Sequence, residues 1–127
     1  MLDIILLKSL EAGFTKFRDL QTIVENCVDQ GAFNTLIPKD QITHYNHTHN
    51  FNTILKCLRE NINKKYIVKP DRNTYIYTQA GLDYVNQQAI DPVLLEKYMT
   101  IIIHTEKYMD TLIASARKKI AEAAFHS

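Results

Sequence analysis

One short stretch of the chain departs from the helical pattern of the rest, and this change of period limits the possible folds more than any other feature. Residues 66–69 (YIVK) and 74–78 (TYIYT) are rich in β-branched and aromatic side chains, and residues 70–73 (PDRN) have the composition of a turn. Two such runs around a turn predict a β-hairpin. The flanking segments carry apolar residues three or four positions apart, which is typical of helices. We therefore predict a mainly α-helical fold with one small hairpin, an α+β arrangement.

Two helices are predicted at the start of the chain. Apolar residues at positions 4, 6, 7 and 10 predict a short amphipathic helix over residues 2–10, which Gly13 can end. A second helix follows, with Thr15 as its cap and Gly31 at its end. Its apolar face is predicted to consist of Phe17, Leu20, Ile23, Val24, Cys27 and Val28.

A helix-turn-helix is predicted between these helices and the hairpin. Residues 39–45 can form only two helical turns, with Ile42 and Tyr45 facing inward. The polar sequence NHTHN that follows predicts a turn, after which Thr48 or Asn50 caps a longer helix. Two short helices joined by a tight polar turn, the second longer and amphipathic, are typical of a helix-turn-helix. The longer helix is predicted to be buried through Phe51, Ile54, Leu55, Leu58 and Ile62.

The C-terminal part of the chain predicts two further helices. Thr78 can cap the first, over residues 79–88. Asp91 followed by Pro92 predicts the start of the second, because proline is favoured at the first helical position. Since no Gly or Pro follows, this helix is expected to reach residue 124, roughly 50 Å away at 1.5 Å per residue.

So long a helix needs a second chain to cover its apolar stripe. A domain of a hundred residues has a radius of gyration of ~13 Å, which is too small to cover it. A symmetric homodimer is the simplest source of a partner. We therefore divide the chain into a compact domain, residues 1–90, and a coiled-coil-like dimerisation helix, residues 91–127. The predicted dimer interface consists of Leu95, Tyr98, Ile102, Met109, Leu112 and Ala116.

Positive charge is concentrated in the middle of the chain. The formal net charge is only +1, but residues 39–79 hold seven basic and three acidic side chains, a local charge of +4. The segments before and after carry −2 and −1. A local basic patch matters more for contact with phosphates than the whole-chain sum. The distribution therefore favours a nucleic-acid partner.

Residues 73–82 (NTYIYTQAGL) resemble the exit from the wing of PadR-like and MarR-like transcription regulators. In those winged helix-turn-helix families an aromatic-rich strand ends in Thr, two residues follow, and then Gly precedes the next helix. Residues 54–61 (ILKCLREN) resemble the end of their recognition helix. The predicted last helix is similar to the dimerisation helix of PadR-like proteins and to archaeal chromatin proteins with an antiparallel coiled coil. The chain departs from the pattern at residues 61–65 (NINKK), where those families have a small residue or Gly.

The resemblance implies a recognition helix in the major groove of double-stranded DNA, with the hairpin as a wing on the backbone or in the minor groove. Asn can pair with adenine, Thr can contact several base edges, and basic residues contact phosphates. The predicted DNA-binding residues are Lys39, His47, Thr48, His49, Asn50, Asn52, Thr53, Lys56, Lys64, Lys69, Arg72 and Asn73. Each of these has an alternative interpretation as a helix cap or a solvated surface group.

The function predicted from the sequence is that of a homodimeric transcription regulator of the repressor type. The alternative is a winged-helix module that binds proteins or organises DNA, as in chromatin or plasmid partition. Catalysis and a cofactor are not expected, since the chain has no Gly-rich phosphate loop and no Ser-centred nucleophile motif.

Neither the histidines nor the cysteines of the chain predict a metal site. His44, His47 and His49 have the spacing HxxHxH, but a turn scatters side chains, so no metal site is expected. Cys27 and Cys57 are expected to be buried, reduced thiols. Together with the absence of a signal-peptide or membrane-spanning pattern, they predict a cytoplasmic, nucleoid-associated protein without membrane contact.

Overall fold

A computed structural model of the chain describes residues 1–29, 35–105, 118 and 120. It confirms a mainly helical fold with a two-stranded antiparallel sheet. In chain order the elements are α1 (Leu2–Glu11), α2 (Phe17–Asp29), a 3₁₀ helix (Lys39–Gln41), α3 (His49–Asn63), β1 (Ile67–Asp71), β2 (Thr74–Tyr77), α4 (Gln79–Gln87) and α5, which is described over residues 92–105.

The first helix lies at the centre of the core rather than at its edge. The predicted amphipathic pattern is wrong for α1, because Ile4, Ile5, Leu6, Leu7, Ser9 and Leu10 are all buried. Helices α2, α3 and α4 and strand β2 all pack against it, so little of its surface faces solvent. The buried hydroxyl of this helix is satisfied, since Ser9 Oγ donates a hydrogen bond of 2.7 Å to the Ile5 carbonyl.

The predicted apolar face of α2 is confirmed from Leu20 to Val28, all five residues being buried. Phe17, at the start of the helix, is only partly buried and its ring lies 4.9 Å from that of Phe51 on α3. Phe51 is 42% exposed, so its predicted burial is wrong. It packs on Phe17 at the rim of the core, which leaves one side of the ring in solvent.

The segment before α3 does not form the two predicted helical turns. A single 3₁₀ turn, Lys39–Gln41, is followed by turns, and Tyr45 is 96% exposed instead of inward. The cause is the side chain of Asn46. Its Oδ1 accepts the Thr43 N–H, and its amide donates to the Gln41 carbonyl. Asn side chains that bond neighbouring backbone groups in this way compete with helix formation.

The turn of the hairpin is shorter than predicted. Ile67 pairs with Tyr77, Val68 with Ile76, and Asp71 with Thr74, with an irregularity between Val68 and Asp71. Pro70, which cannot donate to a ladder, lies in this irregular part. The turn consists of Arg72 and Asn73 because the Asp71 carboxylate accepts the Asn73 N–H and the Thr74 hydroxyl.

The last described helix packs against the same core. Its predicted start is confirmed, since Asp91 Oδ1 accepts the Val93 N–H. Tyr98 and Ile102 are 4% and 0% exposed and belong to the core of their own chain. Their predicted position at a dimer interface is therefore wrong: both side chains are already covered. Leu95 is half-buried, and Met109, Leu112 and Ala116 lie outside the described residues.

No helix among the described residues combines the length and the apolar character needed to cross a lipid bilayer.

Candidate nucleic-acid interface

Helix α3 presents one continuous polar stripe to solvent. Asn52, Lys56, Arg59 and Asn63 are all exposed. Their spacing of four, three and four residues places them along one face of a helix. The opposite face is fixed in the core by Ile54 and Leu58, both 0% exposed. We call these four residues the α3 stripe.

Asn50 does not belong to this surface, contrary to the prediction. The residue is 3% exposed. Its Oδ1 accepts the Ile37 N–H at 2.8 Å and its Nδ2 donates to the Ile37 carbonyl at 2.7 Å. A planar amide matches one backbone N–H and C=O pair, so Asn50 ties the beginning of α3 to the link that precedes it. It positions the helix and is unavailable to a ligand.

Most of the other predicted residues at the start of α3 are accessible. His47, Thr48, His49 and Asn52 are exposed. Thr48 occupies the N-cap position, but its side chain makes no capping hydrogen bond. Thr53 is half-buried and its hydroxyl donates to the His49 carbonyl, so it is turned back on the helix.

The hairpin carries the remaining predicted groups. Lys69, Arg72 and Asn73 are exposed, and the Lys69 ammonium lies 5.0 Å from the centre of the Tyr75 ring. That distance is typical of a cation–π contact. Lys64, at the end of α3, is exposed between the α3 stripe and the hairpin, while Lys39 is exposed on the 3₁₀ turn.

The basic groups of this region form no ion pairs within the described residues. Within residues 1–29 and 35–105, none of the seven basic side chains from Lys39 to Arg72 takes part in an ion pair. Of the acids nearby, Asp71 uses its carboxylate within the hairpin turn. Hydrogen bonds from the Asn73 N–H and the Thr74 hydroxyl lower the pKa of Asp71, so it is ionised at neutral pH.

The predicted DNA-binding residues include only the first half of the α3 stripe. Arg59 and Asn63 are absent from the predicted DNA-binding residues, yet both continue the line that begins at Asn52 and Lys56. The signal that could have found them is the helical spacing itself, extended by two further turns. Within α3 the prediction stops at Lys56 because base contacts are expected mainly from the N-terminal turns of a recognition helix.

The two cysteines do not offer reactive or metal-binding thiolates. Burial raises the pKa of Cys27 to about 12 and that of Cys57 to about 11. Both thiols are therefore protonated at neutral pH. In the described part of the chain, no group of three or more His, Cys, Asp or Glu side chains is placed to hold a metal ion.

Comparison with protein-family models, with curated proteins and with solved structures finds no match to this chain. The function is therefore inferred from the geometry of the chain itself.

Proposed function

We propose that the chain is a winged helix-turn-helix protein that reads the sequence of double-stranded DNA, acting as a homodimeric transcription regulator of the repressor type. The α3 stripe carries this proposal. Asn, Lys and Arg are the residue types that pair with base edges in the major groove: Asn with adenine, and Lys or Arg with guanine. Here they occupy an exposed face of a helix whose other face is fixed in the core.

A winged-helix arrangement is supported by the way the hairpin is attached. The Tyr75 N–H donates to the Thr15 carbonyl at 2.8 Å, so the link between α1 and α2 adds to the free edge of β2. Lys16 Nζ donates to the Thr74 hydroxyl at 2.9 Å beside it. In this arrangement α3 enters the major groove, while Arg72 at the hairpin turn reaches the backbone or the minor groove.

Measured affinity for a duplex selected from random sequences tests the proposal. Asn52→Ala and Arg59→Ala should each weaken binding by about 1–3 kcal/mol and relax the preference at one base position. Lys56→Ala and Arg72→Ala should weaken binding and reduce its salt dependence. Lys118→Ala removes one charge from an exposed residue that belongs to neither α3 nor the hairpin, and it is the matched control.

A protein-binding or architectural module is the second candidate. Val68 and Ile76 face each other across the hairpin and are 46% and 41% exposed, an apolar pair that suits a protein surface. If the α3 variants bind DNA as well as the unaltered chain does, while Val68→Ser and Ile76→Ser abolish capture of a protein partner, this second candidate replaces the first.

A further inference from the structure

We propose that His47 and His49 contact DNA phosphates only after each has taken up a second proton, so that the affinity for DNA rises as the pH falls. This regulatory property rests on the proposed function, since it concerns the same surface. The hydrogen bonds that these two imidazoles already make carry the proposal.

Each ring directs one nitrogen at a backbone carbonyl. His47 Nδ1 lies 2.6 Å from the His44 oxygen, and His49 Nε2 lies 2.7 Å from the Thr35 oxygen. A carbonyl can only accept, so these nitrogens carry the proton. A neutral imidazole has one N–H, which leaves His47 Nε2 and His49 Nδ1 as acceptors.

A phosphate oxygen in DNA is also an acceptor. The neutral rings therefore have no hydrogen to offer it, although both side chains are exposed at the start of α3. A second proton turns the free nitrogen of each ring into a charged donor without breaking the bond to the carbonyl. The rings need not reorient, and a charge-assisted hydrogen bond to phosphate becomes possible.

His44 and Tyr45 extend the cluster of rings around His47. The ring of His44 stacks on that of His47 at 5.7 Å, and Tyr45 lies edge-on to His44. Among the described residues, no carboxylate forms an ion pair with any of the three histidines.

The charged side chains nearest in sequence to the two histidines are Lys39 and Asp40 on the 3₁₀ turn and Lys56 on α3, while α2, which packs against α3, carries Arg18, Asp19, Glu25 and Asp29. The Asp29 carboxylate accepts the Lys39 N–H. Residues 30–34 (QGAFN) contain no titratable side chain.

Proton uptake is therefore coupled to DNA binding. The start of α3 carries the positive end of the helix dipole, which attracts a DNA phosphate to the place where the two rings lie. A phosphate bound there accepts a hydrogen bond only from the protonated form of each ring. Since imidazoles take up a proton between about pH 5 and 8, the coupling falls within a range that cells experience.

The test measures duplex affinity at about pH 8 and about pH 5.5 at constant ionic strength. For the unaltered chain, the affinity should be on the order of tenfold higher at the lower pH. The slope of log affinity against log salt should steepen by about 0.9 for each additional phosphate that the protein neutralises. In the double variant His47→Gln, His49→Gln both changes should disappear, because Gln keeps an N–H for the carbonyl but takes up no proton.

Controls separate this inference from the proposed function. His104→Gln removes an exposed histidine on α5 and should keep the full pH response. Lys56→Ala should weaken binding at both pH values and also keep the response. Circular dichroism at each pH shows whether the variants are folded, and the single variants replace the double variant if it is not. A flat pH profile, or an undiminished response in the histidine variants, overturns the inference alone. Absence of duplex binding at both pH values overturns the proposed function as well.

Discussion

Gly81 is buried where α4 crosses the end of the turn that leads into β1. A Cβ at this position would collide with the carbonyl oxygen of Tyr66, a backbone atom that cannot move aside cheaply. Thr78 makes the approach possible, since its hydroxyl donates to the Lys65 carbonyl and accepts the Gly81 N–H. The Thr-x-x-Gly pattern of residues 78–81, on which the resemblance to a wing exit rests, is thus explained by packing and capping.

We expect Gly81→Ala to lower the free energy of unfolding by about 1–3 kcal/mol. The collision outweighs the ~1 kcal/mol that Ala normally gains over Gly in a helix. Urea denaturation measures the change. Ala80→Ser, at the exposed neighbouring position, should alter stability by less than about 0.5 kcal/mol. Equal effects at the two positions would contradict the packing explanation.

Lys65 has a backbone φ of 64°, in the left-handed region that favours glycine. It follows the last turn of α3, where the Lys65 N–H donates to Ile62 O and the Tyr66 N–H donates to Asn61 O. These two bonds form a Schellman motif, whose left-handed residue is most often Gly.

Lys65→Gly should therefore raise the free energy of unfolding by about 0.5–1 kcal/mol, because it relieves the left-handed strain at some cost in unfolded-state entropy. Lys64→Gly removes the same charge from a residue with a φ of −79° and should give no gain. Thermal and urea unfolding of the two variants compare them directly. A larger gain at position 64 would mean that left-handed strain is not the cause.

At the level of helices and strands, a hydrogen bond at the edge of the core joins the first helix to the fourth. The Tyr84 hydroxyl donates to Asp3 Oδ2 at 2.6 Å, and the Tyr84 ring stacks on Tyr66 at 4.6 Å. Desolvation works to raise the pKa of Asp3, but the Tyr84 hydroxyl, the Met1 ammonium and the Ile4 N–H together lower it below 3.8. The same hydrogen bond, with burial, raises the pKa of Tyr84 to about 12.

The pH dependence of stability follows from these directions. A lowered Asp3 pKa stabilises the fold above pH 3.8, and this contribution is lost as the pH falls through the folded value. Tyr84→Phe should therefore reduce the stability lost between about pH 6 and pH 3, by less than ~1 kcal/mol because the carboxyl is partly exposed. Tyr77→Phe, at an exposed position, should leave the acid response unchanged. An unaltered response in Tyr84→Phe would mean that other groups cause it.

In the molecule as a whole, α5 contributes buried side chains to the core of its own chain. Tyr98 and Ile102 face inward, whereas Val93 and Ile103 are 75% and 46% exposed on the same helix. If the proposed homodimer uses residues 92–105 of α5, Val93 and Ile103 are available to the interface, whereas Tyr98 and Ile102 are not.

Two neighbouring substitutions distinguish the two faces. Ile102→Glu buries a charge without a partner and should unfold the chain, since such a group costs several kcal/mol. Ile103→Glu should keep the circular dichroism of a folded protein and weaken the proposed dimer. Light scattering over a range of concentrations measures the mass. A folded Ile103→Glu variant that remains dimeric would exclude this face as the interface.

Local sequence signals were sufficient to predict most of the individual elements. The change of hydrophobic period predicted the hairpin, the spacing of apolar residues predicted α2, and Asp91 with Pro92 predicted the start of α5. A strand, a cap or an amphipathic face follows from residues within one or two turns of one another, so these features need no knowledge of distant contacts.

The exposure of single side chains depends instead on how the elements pack. Asn50 and Asn52 are nearly adjacent in sequence, yet one is tied to the Ile37 backbone and the other belongs to the α3 stripe. Ile102 and Ile103 are likewise divided between core and surface. Apolar residues repeated about every 3.6 positions give a helix an apolar face, but which residues at the edges of that face are buried depends on the elements packed against it. The hairpin illustrates both cases. Its strands can be predicted from residues 66–78 alone, whereas its attachment to the rest of the fold depends on the hydrogen bond from the Tyr75 N–H to the distant Thr15 carbonyl.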